Sequence, residues 1–179
     1  MIALFLKELR GFFSTLMGYV VVAVFLLLLG LFLWVFPGER NILDAGQASL
    51  EVLFAWSPWI FMFLIPAITM RSFAEEHRTG TMELLLTRPL GEGQIVFAKF
   101  LGAFAVMLFA LIPTLLYIPI LGELGQPQWN FDAGAIRGSY CGLMLLGGAF
   151  TAIGVMVSTW TRNPLVAFLL SLLLLVFGF

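Results

Sequence analysis

The 179-residue chain holds few side chains that could do chemistry. His77 is its only histidine and Cys141 its only cysteine, which excludes an HExxH motif and any local cluster of histidine and cysteine metal ligands. A nucleotide-binding P-loop needs a glycine-rich turn, then lysine, then serine or threonine, and neither Lys7 nor Lys99 stands in such a run. The sequence therefore predicts no catalytic residue, no metal site and no cofactor-binding site in this chain.

The polar stretch 71–99 is the most informative part of the sequence. Ser72 and Glu75 have the spacing of a capping box, which predicts a helix that starts there, and the alternative is that the second span continues straight through. Gly80 is a natural break in that helix. A second short helix is predicted between Gly80 and Pro89, because proline cannot continue a helix that reaches it.

The second of these short helices would be amphipathic. Met82, Leu85 and Leu86 share one face at i, i+3, i+4 spacing, while Glu83 and Arg88 stay polar. An apolar ridge with charged flanks suits insertion into a groove of a cytoplasmic partner protein. The alternative is an amphipathic helix that rests on the lipid surface, and the pattern alone leaves both open.

Two further features concern packing. Gly134, Gly138 and Gly142 recur every four residues and give a helix a bare stripe. Such a stripe favours close packing of helices within the chain or, alternatively, against a second copy. The segment 1–11 mixes apolar with charged side chains, which predicts an interfacial helix lying on the inner leaflet.

The elements that position these features are predicted to be membrane helices. The chain is 61% apolar and only 11% charged, whereas a soluble domain is roughly 45–50% apolar and ~25% charged. A membrane helix needs about 20 mostly apolar residues, and five segments qualify or nearly qualify. We therefore expect an all-α integral membrane protein, a polytopic helical bundle. The predicted spans are 12–36, 53–70, 100–121, 139–160 and 164–179.

The distribution of basic residues predicts the orientation. Seven of the nine Lys and Arg residues lie in the N-terminal tail or in the second and fourth loops, and basic residues favour the cytoplasmic side. We therefore expect a cytoplasmic N-terminus and a cytoplasmic loop over 71–99. No charged residue lies inside a predicted span, which argues against an ion-coupled pump. The net charge of −1 gives no indication of nucleic-acid binding, which usually requires an excess of basic residues.

Three short motifs occur together in one known family. They are the loop residues Glu75, Glu76, Gly80 to Glu83 and Thr87 to Leu90, the start Lys7 to Arg10 with Gly18 and Tyr19, and the turn Ser158, Thr161, Arg162, Asn163 and Ala167. With these motifs the chain resembles the ABC-2 type transporter permeases over nearly its whole length. Among them it is most similar to the permease subunit of the bacterial gliding-motility ABC transporter.

The resemblance implies properties that spacing does not give. It implies six spans, pairing with a second permease subunit as a homo- or heterodimer, and a separate subunit that binds ATP. Because only five spans fit, it also implies a chain incomplete at its C-terminus, in the bacterial cytoplasmic (inner) membrane. Arg162 and Asn163 would make a second contact with the ATP-binding subunit. The first contact would be the coupling residues Glu75, Glu76, Gly80, Thr81, Met82, Glu83, Leu85, Leu86, Arg88 and Pro89.

Two other functions stay open on the sequence. A structural membrane subunit of a motility or envelope complex would need no transported cargo. A lipid-embedded enzyme would need convergent acids, a histidine pair or a Ser–Lys arrangement at membrane depth, and the predicted spans offer none of these. The uncharged spans are compatible with lipid-linked, polysaccharide or hydrophobic cargo, and no residue selects among them.

Overall fold

The computed structural model describes residues 1–36, 49–82, 91–124 and 131–179, and all regular structure within these ranges is helical. A short π-helical turn, Leu31–Val35, extends α2, and a 3₁₀ turn, Ile112–Leu116, links α5 to α6. The helices are α1 (Ile2–Phe13), α2 (Leu16–Gly30), α3 (Glu51–Thr69), α4 (Ala74–Thr79), α5 (Glu92–Leu111), α6 (Tyr117–Leu124), α7 (Ala133–Thr159) and α8 (Pro164–Gly178).

Four helical segments are long and apolar enough to cross a bilayer: Leu16–Val35, Glu51–Thr79, Glu92–Glu123 and Ala133–Thr159. They correspond to the first four predicted spans, so the prediction of a polytopic helical membrane protein is confirmed. The fifth, Pro164–Gly178, has 15 residues and reaches only about 22 Å, less than the ~30 Å hydrocarbon core. The count of five spans and the cytoplasmic N-terminus stay predictions.

Two spans begin six or more residues earlier in the chain than predicted, whereas the second begins only two residues earlier, at Glu51. The third starts at Glu92 instead of residue 100, with Gly91 in extended conformation as its N-cap. The fourth starts at Ala133 instead of residue 139, because the Asp132 carboxylate accepts the backbone N–H groups of Gly134 and Ala135. In both cases a cap outside the apolar run sets the start of the helix.

Proline and asparagine act at two other helix ends. The α-helical pattern gives way to a 3₁₀ turn at Pro113, which has no N–H for the helical ladder. The Asn163 side chain caps α8 by accepting from the N–H of Leu165 at 3.0 Å, and Pro164 occupies the first helical position.

The core of the bundle lies around α3, which packs against α2, α5, α7 and α8. The rings of Phe25 and Phe61 stack at its centre, with centroids 5.6 Å apart. Close approach depends on two glycines of α7. A Cβ at Gly147 would lie 2.6 Å from the Met107 side chain, and one at Gly154 would overlap the Thr69 side chain. Small residues at the crossings thus bring the helices together, as is usual in membranes.

The predicted glycine stripe lies elsewhere on α7. A Cβ at Gly138 or Gly142 would meet nothing within 4 Å, and one at Gly134 would approach only the capping Asp132. Among the described residues, no other side chain therefore packs against the stripe at Gly138 and Gly142, and its role in helix packing, within the chain or against a second copy, stays a prediction.

The N-terminal helix α1 packs along α5. Leu4 is buried with Phe73, Ile95, Ala98 and Val155 in a small apolar cluster, called here the Leu4 cluster. The helix ends at Phe13, so Phe12 and Phe13 belong to α1 and not to the first span. A helix predicted to rest on lipid is thus docked on protein along one face.

Candidate functional site at the charged end of the bundle

The short helix α4 takes its N-terminal cap from a distant part of the chain. The Ser158 hydroxyl, at the end of α7, accepts the backbone N–H groups of Phe73 and Ala74 at 2.8 and 3.1 Å. Ser158 is fully buried. The predicted capping box of Ser72 and Glu75 is wrong, because α4 begins at Ala74 and Ser158 takes the place of a local cap.

The other end of α4 follows the sequence prediction. Gly80 has a φ of 69°, the left-handed conformation that favours glycine at a helix end. The N–H of Thr81 donates to the carbonyl oxygen of Glu76 at 3.1 Å, which is the outer hydrogen bond of a Schellman motif. The predicted break at Gly80 is confirmed, and α4 is a helix of defined length.

A buried lysine ties α4 to the membrane helices. Lys99, in α5, is only 2% exposed. Its Nζ donates to Glu8 Oε1 of α1 at 3.0 Å and to the backbone oxygen of Ser72. Glu76 Oε2 of α4 lies 3.0 Å from the same Nζ, outside hydrogen-bond geometry, so this contact is an ion pair. The Lys99 Nζ also lies 4.9 Å from the centre of the Phe73 ring, a cation–π distance.

The charged cluster of Lys7, Glu8, Glu76 and Lys99 is balanced. Glu76 also accepts from Lys7 of α1, whose Nζ lies at 3.5 Å. The Lys7 side chain is 64% exposed, so its ion pair contributes little, whereas Lys99 is desolvated. Removing one partner of a buried pair costs about 3–5 kcal/mol, because the other charge is left uncompensated. Glu8 and Glu76 therefore fix Lys99, and Lys99 in turn fixes α1 and α4.

Apolar packing adds a fourth attachment for α4. Ala74 is fully buried against Ala167 of α8, beside Met70 and Phe168. Because alanine side chains are short, the backbones of α4 and α8 approach closely. The helix α4 is thus held by α1, α5, α7 and α8 together.

The outer side of α4 faces away from the bundle. Arg78, Thr79, Gly80 and Thr81 are exposed. Glu75 is partly exposed, and its carboxylate lies 3.6 Å from Arg78 and 3.9 Å from Arg71. These residues form the part of the predicted coupling element that another protein could reach.

Other predicted contact residues are placed differently. Glu76 points inward to Lys99, and Met82 is half-buried against the Leu4 cluster. Arg162 is exposed in the turn between α7 and α8, next to the capping Asn163. The remaining residues of the predicted ridge lie outside the described part of the chain. They are Glu83, Leu85, Leu86, Arg88 and Pro89.

A cavity of about 370 Å³ opens beside the charged cluster. Its walls come from α1, the start of α2, the end of α3, the segment 71–76 and α5. The lining combines charged and apolar side chains. The lining side chains are those of Lys7, Glu8, Phe12, Thr15, Met17, Ala67, Ile68, Arg71, Ser72, Glu75, Glu76, Lys99, Ala103 and Val106, with Gly11 and Gly102. Over the described ranges, no three His, Cys, Asp or Glu residues are grouped as a metal site would require.

The sequence prediction missed Lys99, Glu8 and Ser158 as site residues. Lys99 was placed in a loop because charge marks the margin of a span. One signal could have identified it: it lies between Phe97, Ala98 and Phe100, and a lysine in an apolar run usually needs a partner. No local signal identifies Ser158, since its partners lie about 85 residues away.

Comparison with known proteins places the chain in a family. The sequence profile described as ABC-2 family transporter protein matches residues 2–179. The chain belongs to this ABC-2 family. It is similar to a protein of Stutzerimonas stutzeri described as "Probable ABC transporter permease protein NosY", with 31% identity over 152 residues. That match covers 73% of this chain and 55% of the relative, so the chain spans about half the length of the relative it matches. No solved structure matches the chain significantly.

Proposed function

We propose that this ABC-2 family chain is the membrane-spanning permease subunit of an export-type ABC transporter, driven by a separate ATP-binding subunit. The observation that carries the proposal is α4, a short helix with an exposed outer side that is attached to four other helices. The family resemblance of the 75–89 region supports the same role.

The attachments of α4 explain how a movement of the ATP-binding partner would reach the membrane helices. A partner that pushes on α4 moves the Glu76 carboxylate and, through Lys99, the start of α5. The same displacement pulls on Ser158 at the end of α7. Since packed helices shift as rigid bodies, a small movement at α4 is passed to several membrane helices at once.

The contact surface would combine two parts. The described part is the exposed end of α4, around Arg78, Gly80 and Thr81. The second part is the sequence-predicted ridge of Leu85 and Leu86, whose position rests on helical spacing alone. Arg162 would add a contact from the turn between α7 and α8.

Finer points of the assignment rest on the residue motifs alone. We propose a role in a bacterial gliding-motility system, location in the cytoplasmic membrane, and pairing with a second permease subunit. The exposed glycines of α7 are compatible with such pairing, because Gly138 and Gly142 offer a bare surface.

Co-purification with the ATP-binding subunit tests the first proposal. We expect Arg78→Glu to weaken co-purification at least about tenfold, since a reversed charge at a contact costs ~1.4 kcal/mol or more. Arg10→Glu is the matched control, because Arg10 is an exposed cation on α1 that is not among the predicted contact residues. Equal retention of both variants would contradict the proposed surface.

The ridge needs a separate experiment. Leu85→Asp with Leu86→Asp should abolish partner binding while membrane insertion stays normal, because the predicted spans are untouched. Normal binding by this variant would mean that the ridge faces lipid or solvent.

The structural-subunit alternative predicts a different result in reconstituted vesicles. A permease paired with its ATP-binding subunit should couple ATP hydrolysis to movement of cargo. ATP hydrolysis that changes the complex without flux of any cargo class would favour the structural alternative.

A further inference from the structure

The cavity beside the charged cluster is lined by two partly exposed cations that could bind a ligand. Lys7 and Arg71 line it, and their side chains are 64% and 48% exposed. Their ion pairs are long, 3.5 Å from Lys7 to Glu76 and 3.9 Å from Arg71 to Glu75. Both cations can therefore turn toward an anionic group in the cavity at little cost.

Lys99 does not share this capacity. Its ammonium is already engaged by Glu8, Glu76 and the backbone oxygen of Ser72, and it is almost fully buried. Lys99 instead holds Glu8, whose partly exposed carboxylate lines the same cavity. Glu75, also partly exposed, lines the cavity beside Arg71.

The charges of the lining balance. Lys7, Arg71 and Lys99 face Glu8, Glu75 and Glu76. A ligand with one negative group would give the occupied cavity a net negative charge. A ligand with one negative and one positive group would leave the net charge of the cavity at zero. The charged part of the lining thus fits a zwitterion.

The lining of the cavity also includes apolar side chains. Phe12, Met17, Ile68 and Val106 contribute to it, and Met17 is exposed at the start of the first membrane span. The cavity therefore lies where the charged end of the bundle meets the lipid-facing helices. Its volume of about 370 Å³ falls within the roughly 300–1,000 Å³ typical of small-molecule sites.

We propose that this cavity binds an aminophospholipid of the surrounding leaflet. Lys7 and Arg71 hold the phosphate, the carboxylates of Glu8 and Glu75 hold the primary ammonium, and an acyl chain lies along Phe12 and Met17. Basic pockets between membrane helices bind lipid headgroups, and here the carboxylates add selectivity for the amine. All residues of this site belong to this chain, so the lipid site can be tested without the ATP-binding partner. Failure of the lipid proposal would leave the proposed function untouched, and the reverse also holds.

Native mass spectrometry of the detergent-purified chain tests the site. The chain is titrated with phosphatidylethanolamine and, separately, with phosphatidylglycerol of the same acyl chains. We expect retained adducts with phosphatidylethanolamine and at least about tenfold weaker binding of phosphatidylglycerol, since the glycerol headgroup has no ammonium. Equal binding of the two lipids would overturn the assignment of the carboxylates.

A charge-matched pair of variants tests the phosphate contacts. Lys7→Ala with Arg71→Ala should weaken phosphatidylethanolamine binding about tenfold or more. Arg10→Ala with Arg137→Ala removes the same charge from exposed positions outside the cavity and should leave binding unchanged. Equal affinities of the two double variants would refute the proposed phosphate site.

A glycine pair keeps the test independent of charge. Gly11 lines the cavity, and a Cβ there meets nothing within 4 Å, so Gly11→Leu fills the cavity without a clash of its Cβ. Gly93→Leu is the control on α5, equally open and outside the lining. Loss of binding in Gly11→Leu alone supports the cavity as the site, and unchanged binding overturns it.

Competition separates a lipid from a soluble phosphoamine. Glycerophosphoethanolamine carries the same phosphodiester and ammonium groups without acyl chains. We expect it to displace the lipid only at concentrations at least a hundredfold higher, because it lacks the contacts with the apolar side chains. Displacement at equal concentration would show that the site takes a soluble ligand, and inorganic phosphate displacing equally well would remove the role of the carboxylates.

Discussion

At the scale of the residue, Lys99 shows what one buried charge does for the bundle. Its ammonium, on α5, connects Glu8 of α1 with Ser72 and Glu76 of the segment around α4, so that three parts of the chain meet at Lys99. Each partner alone is an ordinary side chain or backbone group near the end of a helix. Together they remove the cost of burying the charge and fix the position of α4.

Lys99→Met keeps the length of the side chain and removes the charge. We expect this variant to lose about 3–5 kcal/mol of stability, because Glu8 and Glu76 lose the buried cation that they share and only the exposed Lys7 remains beside Glu76. Thermal unfolding in detergent measures the change. Lys7→Met, which removes an exposed cation of the same cluster, should cost less than about 1 kcal/mol.

A compensating variant distinguishes charge from shape. Lys99→Met combined with Glu8→Gln and Glu76→Gln removes the uncompensated carboxylates and should recover a large part of the lost stability. A triple variant as unstable as Lys99→Met alone would mean that the lysine acts by packing and not by charge.

At the scale of the element, helix types and several helix ends could be predicted from local sequence. Asn163 with Pro164 starts α8, and Gly80 ends α4, because caps and left-handed glycines act within a few residues. The start of α4 could not be predicted in this way. Its acceptor, Ser158, lies on another helix and reaches Phe73 only through the tertiary fold.

Ser158→Ala tests this distant cap. The change leaves the N–H groups of Phe73 and Ala74 buried without an acceptor, at a cost of about 1–3 kcal/mol for each group. Hydrogen exchange should become faster at these two amides. Thr159→Ala is the control, since the Thr159 hydroxyl bonds only within its own helix, to Met156. Similar exchange in both variants would contradict the assigned cap.

The crossing of α3 and α7 gives a second prediction for an element. Gly154→Ala should destabilise the protein by about 1–3 kcal/mol, because the new methyl group overlaps Thr69. Gly142→Ala should be neutral or stabilising by up to ~1 kcal/mol, since its methyl group meets open space in a helix interior. Thermal unfolding of the two variants compares them, and the same sign for both would contradict the packing of α7.

At the scale of the whole molecule, composition predicted the membrane class and the approximate spans. It could not predict that α1 docks on α5, because an amphipathic helix buries the same face against lipid or against protein. The apolar side of α1 was visible in the sequence. Its partners in the Leu4 cluster follow from the arrangement of the bundle.

The orientation in the membrane is a prediction for the whole molecule. In a variant with Cys141 replaced by alanine, single cysteines at Glu39 and Gln128 should react with an impermeant reagent from outside. A cysteine at Arg78 should react only after the cytoplasmic side is opened, as the distribution of basic residues requires. Labelling of the Arg78 and Gln128 positions from the same side would contradict the topology.

The hydroxyl that caps α4 also sets an order of assembly. Ser158 is made 85 residues after Phe73, which at roughly 5–20 residues per second is a delay of about 4–17 s during synthesis. Throughout that interval the first turn of α4 has no acceptor for its buried amides. We expect α4 to settle only after α7 has entered the membrane. A nascent chain halted before Ser158 would therefore lack a settled α4, and under the proposed function an ATP-binding subunit would engage only chains whose fourth span is in place.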